Sequence, residues 1–88
     1  MTKKERIQEA TRLFYEFIEC NDFIAEDDGF GYWMVAKKDD CHPDRMFQVN
    51  RRNGGFDVCT HLCEGEEALE FAKRLEEHME NVKRMMEL

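Results

Sequence analysis

The chain has 88 residues, of which 38% are charged, and 20 acidic residues against 13 basic ones give a formal net charge of −7. This length predicts one domain over residues 1–88, and a domain of that size buries only about 60–65% of its unfolded surface, so its core alone stabilises it weakly. Its apolar runs fall far below the roughly 18 residues of a membrane span. A negative field also repels nucleic-acid phosphates, so we expect neither a membrane protein nor a direct nucleic-acid binder.

The first residues show no apolar signal-peptide stretch, because Met1 is followed by Thr2-Lys3-Lys4-Glu5-Arg6 and an amphipathic segment. We therefore expect a soluble cytoplasmic protein with reduced thiols.

The first element is predicted to be a helix over residues 3–20. Thr2 with Glu5 three residues later has the pattern of a capping box, and Asn21-Asp22 is expected to end the helix. Apolar residues recur inside it at helical spacing: Ile7, Ala10, Leu13, Phe14, Phe17 and Ile18.

An antiparallel meander of three or four strands is expected next. Its strands are predicted at residues 23–25, 30–37, 46–51 and 56–62, with turns at Asp27-Asp28-Gly29 and Asn53-Gly54-Gly55. Alternation on the last two strands pairs Val49 with Val58 and Phe47 with Thr60, which puts the apolar side chains on one face. Of the aromatic residues Phe30, Tyr32 and Trp33, most are expected to pack in the core, and an exposed partner anchor is the alternative.

A second helix is predicted from Gly65-Glu66-Glu67 to about Met86. Its apolar stripe is expected to comprise Leu69, Ala72, Leu75, Met79, Val82 and Met86. With both helices on one face of the sheet, the fold class is α+β.

Clustered cysteine and histidine residues suggest a structural zinc ion. In the meander, the loop with Cys41 and His42 comes near the end of the last strand, which carries His61 and Cys63, so these four are the predicted ligands. Residues four apart on an extended strand are about 13 Å apart, so Cys59 and Cys63 cannot both bind one metal ion. Cys59 is the reserve ligand if the strand ends early or bulges. The alternative is that these residues are packed thiols and surface imidazoles.

No catalytic arrangement accompanies these ligands. A Cys-His pair lacks an orienting third group and an oxyanion hole, and Gly29-Phe30-Gly31 is too short to cradle a phosphate. We therefore predict a protein that is not an enzyme.

Acidic residues are concentrated in two places that could bind a basic protein surface. The predicted partner-binding residues are Glu26, Asp27 and Asp28 at the first turn, and Glu66, Glu70, Glu77 and Glu80 on the solvent face of the second helix. The segment 37–52 is instead net basic, with Arg45, Arg51 and Arg52 in the predicted hairpin.

In size, acidity, compact α+β layout and lack of an enzymatic motif, the chain resembles the small phage-encoded anti-CRISPR proteins, some of which block Cas9-type nucleases. The resemblance covers the whole chain in character only and carries over no residue role. It implies an inhibitor, as monomer or homodimer, that binds a nucleic-acid-handling protein and blocks its nucleic-acid loading. The alternative is a metal-stabilised regulatory or adaptor domain that self-associates without nucleic-acid mimicry.

Overall fold

A computed structural model describes residues 1–38, 46–52, 55–60 and 65–88. The elements follow one another as helix, four strands and helix, which confirms the predicted α+β class. They are α1 (Lys3–Cys20), β1 (Phe23–Asp27), β2 (Tyr32–Lys37), β3 (Met46–Asn50), β4 (Asp57–Val58) and α2 (Glu66–Met85).

Helix α1 begins at the predicted capping box. The Thr2 hydroxyl accepts a hydrogen bond from the Glu5 backbone N–H at 3.2 Å, and the Glu5 carboxylate accepts one from the Thr2 backbone N–H at 3.3 Å. Two of the helix's otherwise unpaired N–H groups are thereby satisfied. At the other end, Asn21 donates from its side chain to the Phe17 carbonyl at 2.7 Å, and Asp22 takes a left-handed conformation with φ of 62°.

The sheet is an antiparallel meander in the order β1-β2-β3-β4. Val49 pairs with Val58, as the alternation predicted for the last hairpin. On its other side, Val49 pairs with Trp33 of β2. This register aligns six buried residues of the four strands on one face, while Ala36, also buried, lies on the other face. The six are Phe23, Trp33, Val35, Phe47, Val49 and Val58.

The strand bounds differ from the predicted ones. The first strand runs two residues further, to Asp27, and the third ends one residue earlier, at Asn50. The second strand begins at Tyr32 and not at Phe30, because Gly29 and Gly31 have φ of 78° and 95°, outside the extended region. The last strand comprises Asp57 and Val58, so the predicted strand over residues 56–62 is wrong at residues 56, 59 and 60, and its residues 61–62 lie outside the described ranges. Thr60 lies beyond its end, and the expected pairing of Thr60 with Phe47 is not formed.

Helix α2 packs on the same face as α1, but its buried stripe differs from the predicted one. Leu69 is only half-buried, whereas Ala68 and Phe71 are buried. Phe71 lies at the centre of an aromatic cluster, with ring centroids 4.1 Å from Phe23, 5.7 Å from Phe17 and 6.1 Å from Phe47. This cluster joins both helices to the sheet and sets the rotation of α2.

The opposite face of the sheet is not covered by either helix. Ile24, Tyr32 and Met34 lie on it and are half-buried, and the Gln48 side-chain amide is 3.4 Å from the Met34 sulfur. Asp57 pairs with Asn50 across the last two strands and is exposed.

Candidate functional site

The turn between β1 and β2 is held by the carboxylates of two aspartates. Asp27 accepts a hydrogen bond from the Gly29 N–H at 2.8 Å, and Asp28 accepts from the N–H groups of Phe30 at 2.7 Å and Tyr32 at 3.1 Å. A backbone bond from Asp28 to the Tyr32 carbonyl closes the turn at 3.0 Å. Because these carboxylates stand in for missing backbone partners, the turn has a defined shape.

Phe30 projects from this turn into solvent with 78% of its surface exposed, whereas Trp33 is 3% exposed in the core. The expectation that the aromatics mainly pack therefore holds for Trp33 and is wrong for Phe30. The flanking glycines were the available signal. They place Phe30 outside the strand, where alternation no longer decides which way a side chain points.

The acidic turn and the basic hairpin lie side by side. The Arg51 guanidinium forms an ion pair with Asp27 at 2.5 Å, and the Arg51 N–H donates to the Gly31 carbonyl at 3.0 Å. Arg52 lies 5.6 Å from the Tyr32 ring centroid and donates to the Phe30 carbonyl at 3.4 Å. The turn acids that the sequence assigned to partner binding therefore have local structural partners.

Glu26 and the helix acids have a different environment. All five are exposed, and within the described part of the chain their side chains make no hydrogen bond or ion pair: Glu26, Glu66, Glu70, Glu77 and Glu80. The four on α2 extend over about 21 Å at the helical rise of about 1.5 Å per residue. Lys73 and Arg84 lie on the same side of the helix, so this surface of α2 has an excess of acidic residues but also contains basic ones.

The predicted zinc ligands Cys41, His42, His61 and Cys63 lie outside the described residues. Within the described ranges, no three His, Cys, Asp or Glu side chains are grouped closely enough to hold a metal ion. The reserve ligand Cys59 is described and half-buried, with its sulfur 3.9 Å from the Asp57 carbonyl oxygen. Burial, and then the negative charge of Asp57, raise the pKa of the Cys59 thiol above its ordinary value.

Neither helix of the described chain is long and apolar enough to cross a bilayer. Comparisons with protein-family models, with curated proteins and with solved structures find no match to this chain. The functional argument therefore depends on the chain's own surface.

Proposed function

We propose that this protein is a small acidic protein-interaction domain that docks on a larger protein through Phe30. The observation that carries the proposal is an aromatic side chain 78% exposed at the tip of a turn fixed by Asp27 and Asp28. Aromatic residues in partner pockets supply much of the binding energy of protein interfaces.

The turn's geometry favours binding in two ways. Burying a phenylalanine side chain is worth about 1.5–3 kcal/mol. Because the backbone around Phe30 is already held by hydrogen bonds to Asp27 and Asp28, little chain entropy is lost when a partner closes over it.

The charge of the chain favours a basic partner. Five exposed glutamates have no ion-pair partner in the described residues, and the whole chain carries −7: Glu26, Glu66, Glu70, Glu77 and Glu80. Proteins that hold nucleic acid have large basic surfaces. We therefore propose as target a nucleic-acid-handling protein such as a CRISPR nuclease, which the domain inhibits by occupying the surface that loads nucleic acid.

A zinc ion held by Cys41, His42, His61 and Cys63 is part of this proposal, as a staple of a small domain. Native mass spectrometry of the purified protein with and without a chelator tests it. One zinc per chain, lost together with the fold on chelation, supports the staple, and a metal-free folded chain contradicts it.

The charge argument is tested by binding of a purified Cas9-type nuclease at increasing salt. We expect the double variant Glu70→Gln/Glu77→Gln to weaken binding about 3- to 10-fold at low salt and less at high salt, because salt screens surface charges and reduces their contribution to binding. Glu19→Gln, an exposed acid on α1, is the matched control. Substituting Asp27 or Asp28 is less informative, because both hold the turn. If binding changed neither with the salt concentration nor in the Glu70→Gln/Glu77→Gln variant, the proposed contact would be contradicted.

A second candidate function, a self-associating adaptor, is favoured by the sheet face that the helices leave uncovered. Ile24 and Met34 lie on that face, and Met85 on α2 is 66% exposed. Light scattering after size-exclusion chromatography distinguishes the two. A dimer that Met34→Lys dissociates supports the adaptor, and a monomer at tens of micromolar supports the docking domain.

A further inference from the structure

A basic pocket lies at one end of the helical layer, where the start of α1, the end of α2 and the β3–β4 connection meet. Its volume is about 610 Å³. The described residues that line it are Lys3, Arg6, Arg52, Gly55, Asp57, Lys83, Glu87 and Leu88.

The charge of this lining is opposite to that of the chain. It contains four bases and two acids, a formal net charge of +2, whereas the whole chain carries −7. The bases come from three separate parts of the sequence, so only the fold brings them together. A concave wall with a net positive charge concentrates anions.

These bases are available to a ligand. Within the described residues, the side chains of Lys3 and Arg6 make no hydrogen bond or ion pair. Lys83 is 3.9 Å from Asp57, a long contact to a carboxylate that is 74% exposed. Arg52 is already oriented by the Phe30 carbonyl and the Tyr32 ring. Hydrogen bonds and ion pairs among the described residues therefore engage only part of the positive charge in this pocket.

The position of Lys3 and Arg6 is also unfavourable for the helix itself. Both lie at the start of α1, where the helix dipole is positive and basic side chains are destabilising. A bound anion would reverse the sign of that interaction.

We propose that this pocket binds a compact chain of two or more phosphates, either inorganic or carried by a nucleotide. Arginine presents several N–H donors that match phosphate oxygens, and lysine adds point charge. The volume lies in the range of about 300–1,000 Å³ typical of small-ligand sites. A long nucleic acid would run out of the pocket onto the acidic surface, which favours a compact ligand.

The pocket recognises the phosphates and not a nucleobase, since none of its described lining residues is aromatic and could stack on one. Inorganic tripolyphosphate is therefore the probe, and ATP reports whether a nucleoside adds anything. Equal affinities assign an inorganic ligand, and tighter ATP binding assigns a nucleotide.

The experiment is isothermal titration calorimetry, in which tripolyphosphate is added to the full chain at low salt. We expect saturable binding of one ligand per chain, weakened about 10-fold or more by Arg6→Gln or Arg52→Gln, because each variant removes charge-assisted hydrogen bonds. Arg84→Gln, an exposed arginine of α2 outside the lining, is the matched control and should change affinity less than about 2-fold.

Circular dichroism confirms that each variant is folded. NMR of the unsubstituted chain gives an independent reading, because the arginine Nε signals of Arg6 and Arg52 should shift on titration. The proposal would be overturned if tripolyphosphate showed no saturable binding, or if Arg84→Gln weakened binding as much as Arg6→Gln and Arg52→Gln. It would also be overturned if the chain bound a single-stranded oligonucleotide but did not bind tripolyphosphate. None of these outcomes bears on the protein partner of Phe30.

Discussion

The indole of Trp33 shows how one polar atom is accommodated in an aromatic core. Its N–H donates to the Tyr15 hydroxyl at 2.9 Å, while its ring stacks on Phe56 with a centroid separation of 5.4 Å. Trp33 is 3% exposed, so an unpaired N–H would be removed from water without compensation.

We expect Tyr15→Phe to lower the free energy of unfolding by about 1–3 kcal/mol, because it leaves this buried donor unpaired. Urea unfolding measures the change. Tyr32→Phe is the control, because the Tyr32 hydroxyl makes no hydrogen bond in the described residues. Equal losses in the two variants would show that the Tyr15 hydroxyl does not stabilise the core.

Cys59 gives a prediction about pH. Its thiol pKa is raised by burial and by Asp57, so the folded chain keeps this proton to higher pH than the unfolded chain does. The stability from this site is therefore present below the ordinary thiol pKa and is lost as the pH rises above it.

Near pH 8, iodoacetamide should alkylate Cys59 more slowly than the exposed Cys20, and urea should remove the difference. Mass spectrometry of peptides from timed samples measures both rates. Equal rates in the folded chain would contradict the raised pKa.

The exposure of the Phe30 side chain could not be predicted from the sequence. Acidic residues could be predicted to be exposed from their chemistry alone, and Glu26, Glu66, Glu70, Glu77 and Glu80 are exposed. An aromatic residue gives no such signal, because it can pack or anchor a partner, and its direction here depends on the φ angles of Gly29 and Gly31.

At the scale of elements, local signals predicted the ends of α1 well. The capping box needs only residues 2–5, and the Asn21-Asp22 stop needs only its own neighbours. The stripe of α2 could not be predicted as reliably, because Leu69 and Phe71 are both apolar and lie on opposite flanks of the stripe, about 160° apart around the helix axis. Contacts of Phe71 with Phe17, Phe23 and Phe47 decide which flank is buried.

We expect Thr2→Ala to lower the free energy of unfolding by about 1 kcal/mol, because the first turn loses its side-chain acceptor. Thermal unfolding by circular dichroism measures the loss, with Lys4→Ala as a neighbouring exposed control. If Thr2→Ser is as destabilising as Thr2→Ala, the hydroxyl is not the stabilising group.

The aromatic cluster makes a larger prediction. Phe71→Ala should cost about 3–5 kcal/mol, whereas Leu69→Ala, at a half-buried site, should cost under about 2 kcal/mol. The midpoints of urea unfolding compare the two variants. The reverse order would support the stripe predicted from sequence and contradict the observed rotation of α2.

For the whole molecule, the folded arrangement changes the meaning of the charge pattern. Along the sequence, residues 26–28 form an acidic group and residues 51–52 a basic one. The register of β1, β2 and β3 puts them side by side, and Asp27 and Arg51 form an ion pair. Such long-range pairing depends on the sheet, and no local pattern could have predicted it.

The same fold leaves two surfaces of opposite character. One end gathers Lys3, Arg6, Arg52 and Lys83 around a pocket, while the outer side of α2 exposes glutamates. Phe30 stands apart from the core as an exposed aromatic on an ordered turn. The proposed docking on a basic protein combines this anchor with the acidic surface.

The most direct test of that proposal is DNA cleavage by a purified Cas9-type nuclease, with the protein added before or after the guide RNA. We predict inhibition when it is added first, with a half-maximal concentration raised about 10-fold or more by Phe30→Ala, because the anchor's burial is lost. Met85→Ala, which removes another exposed apolar side chain, should leave inhibition unchanged. Full cleavage at every protein concentration, or equal inhibition by Phe30→Ala, would contradict the account.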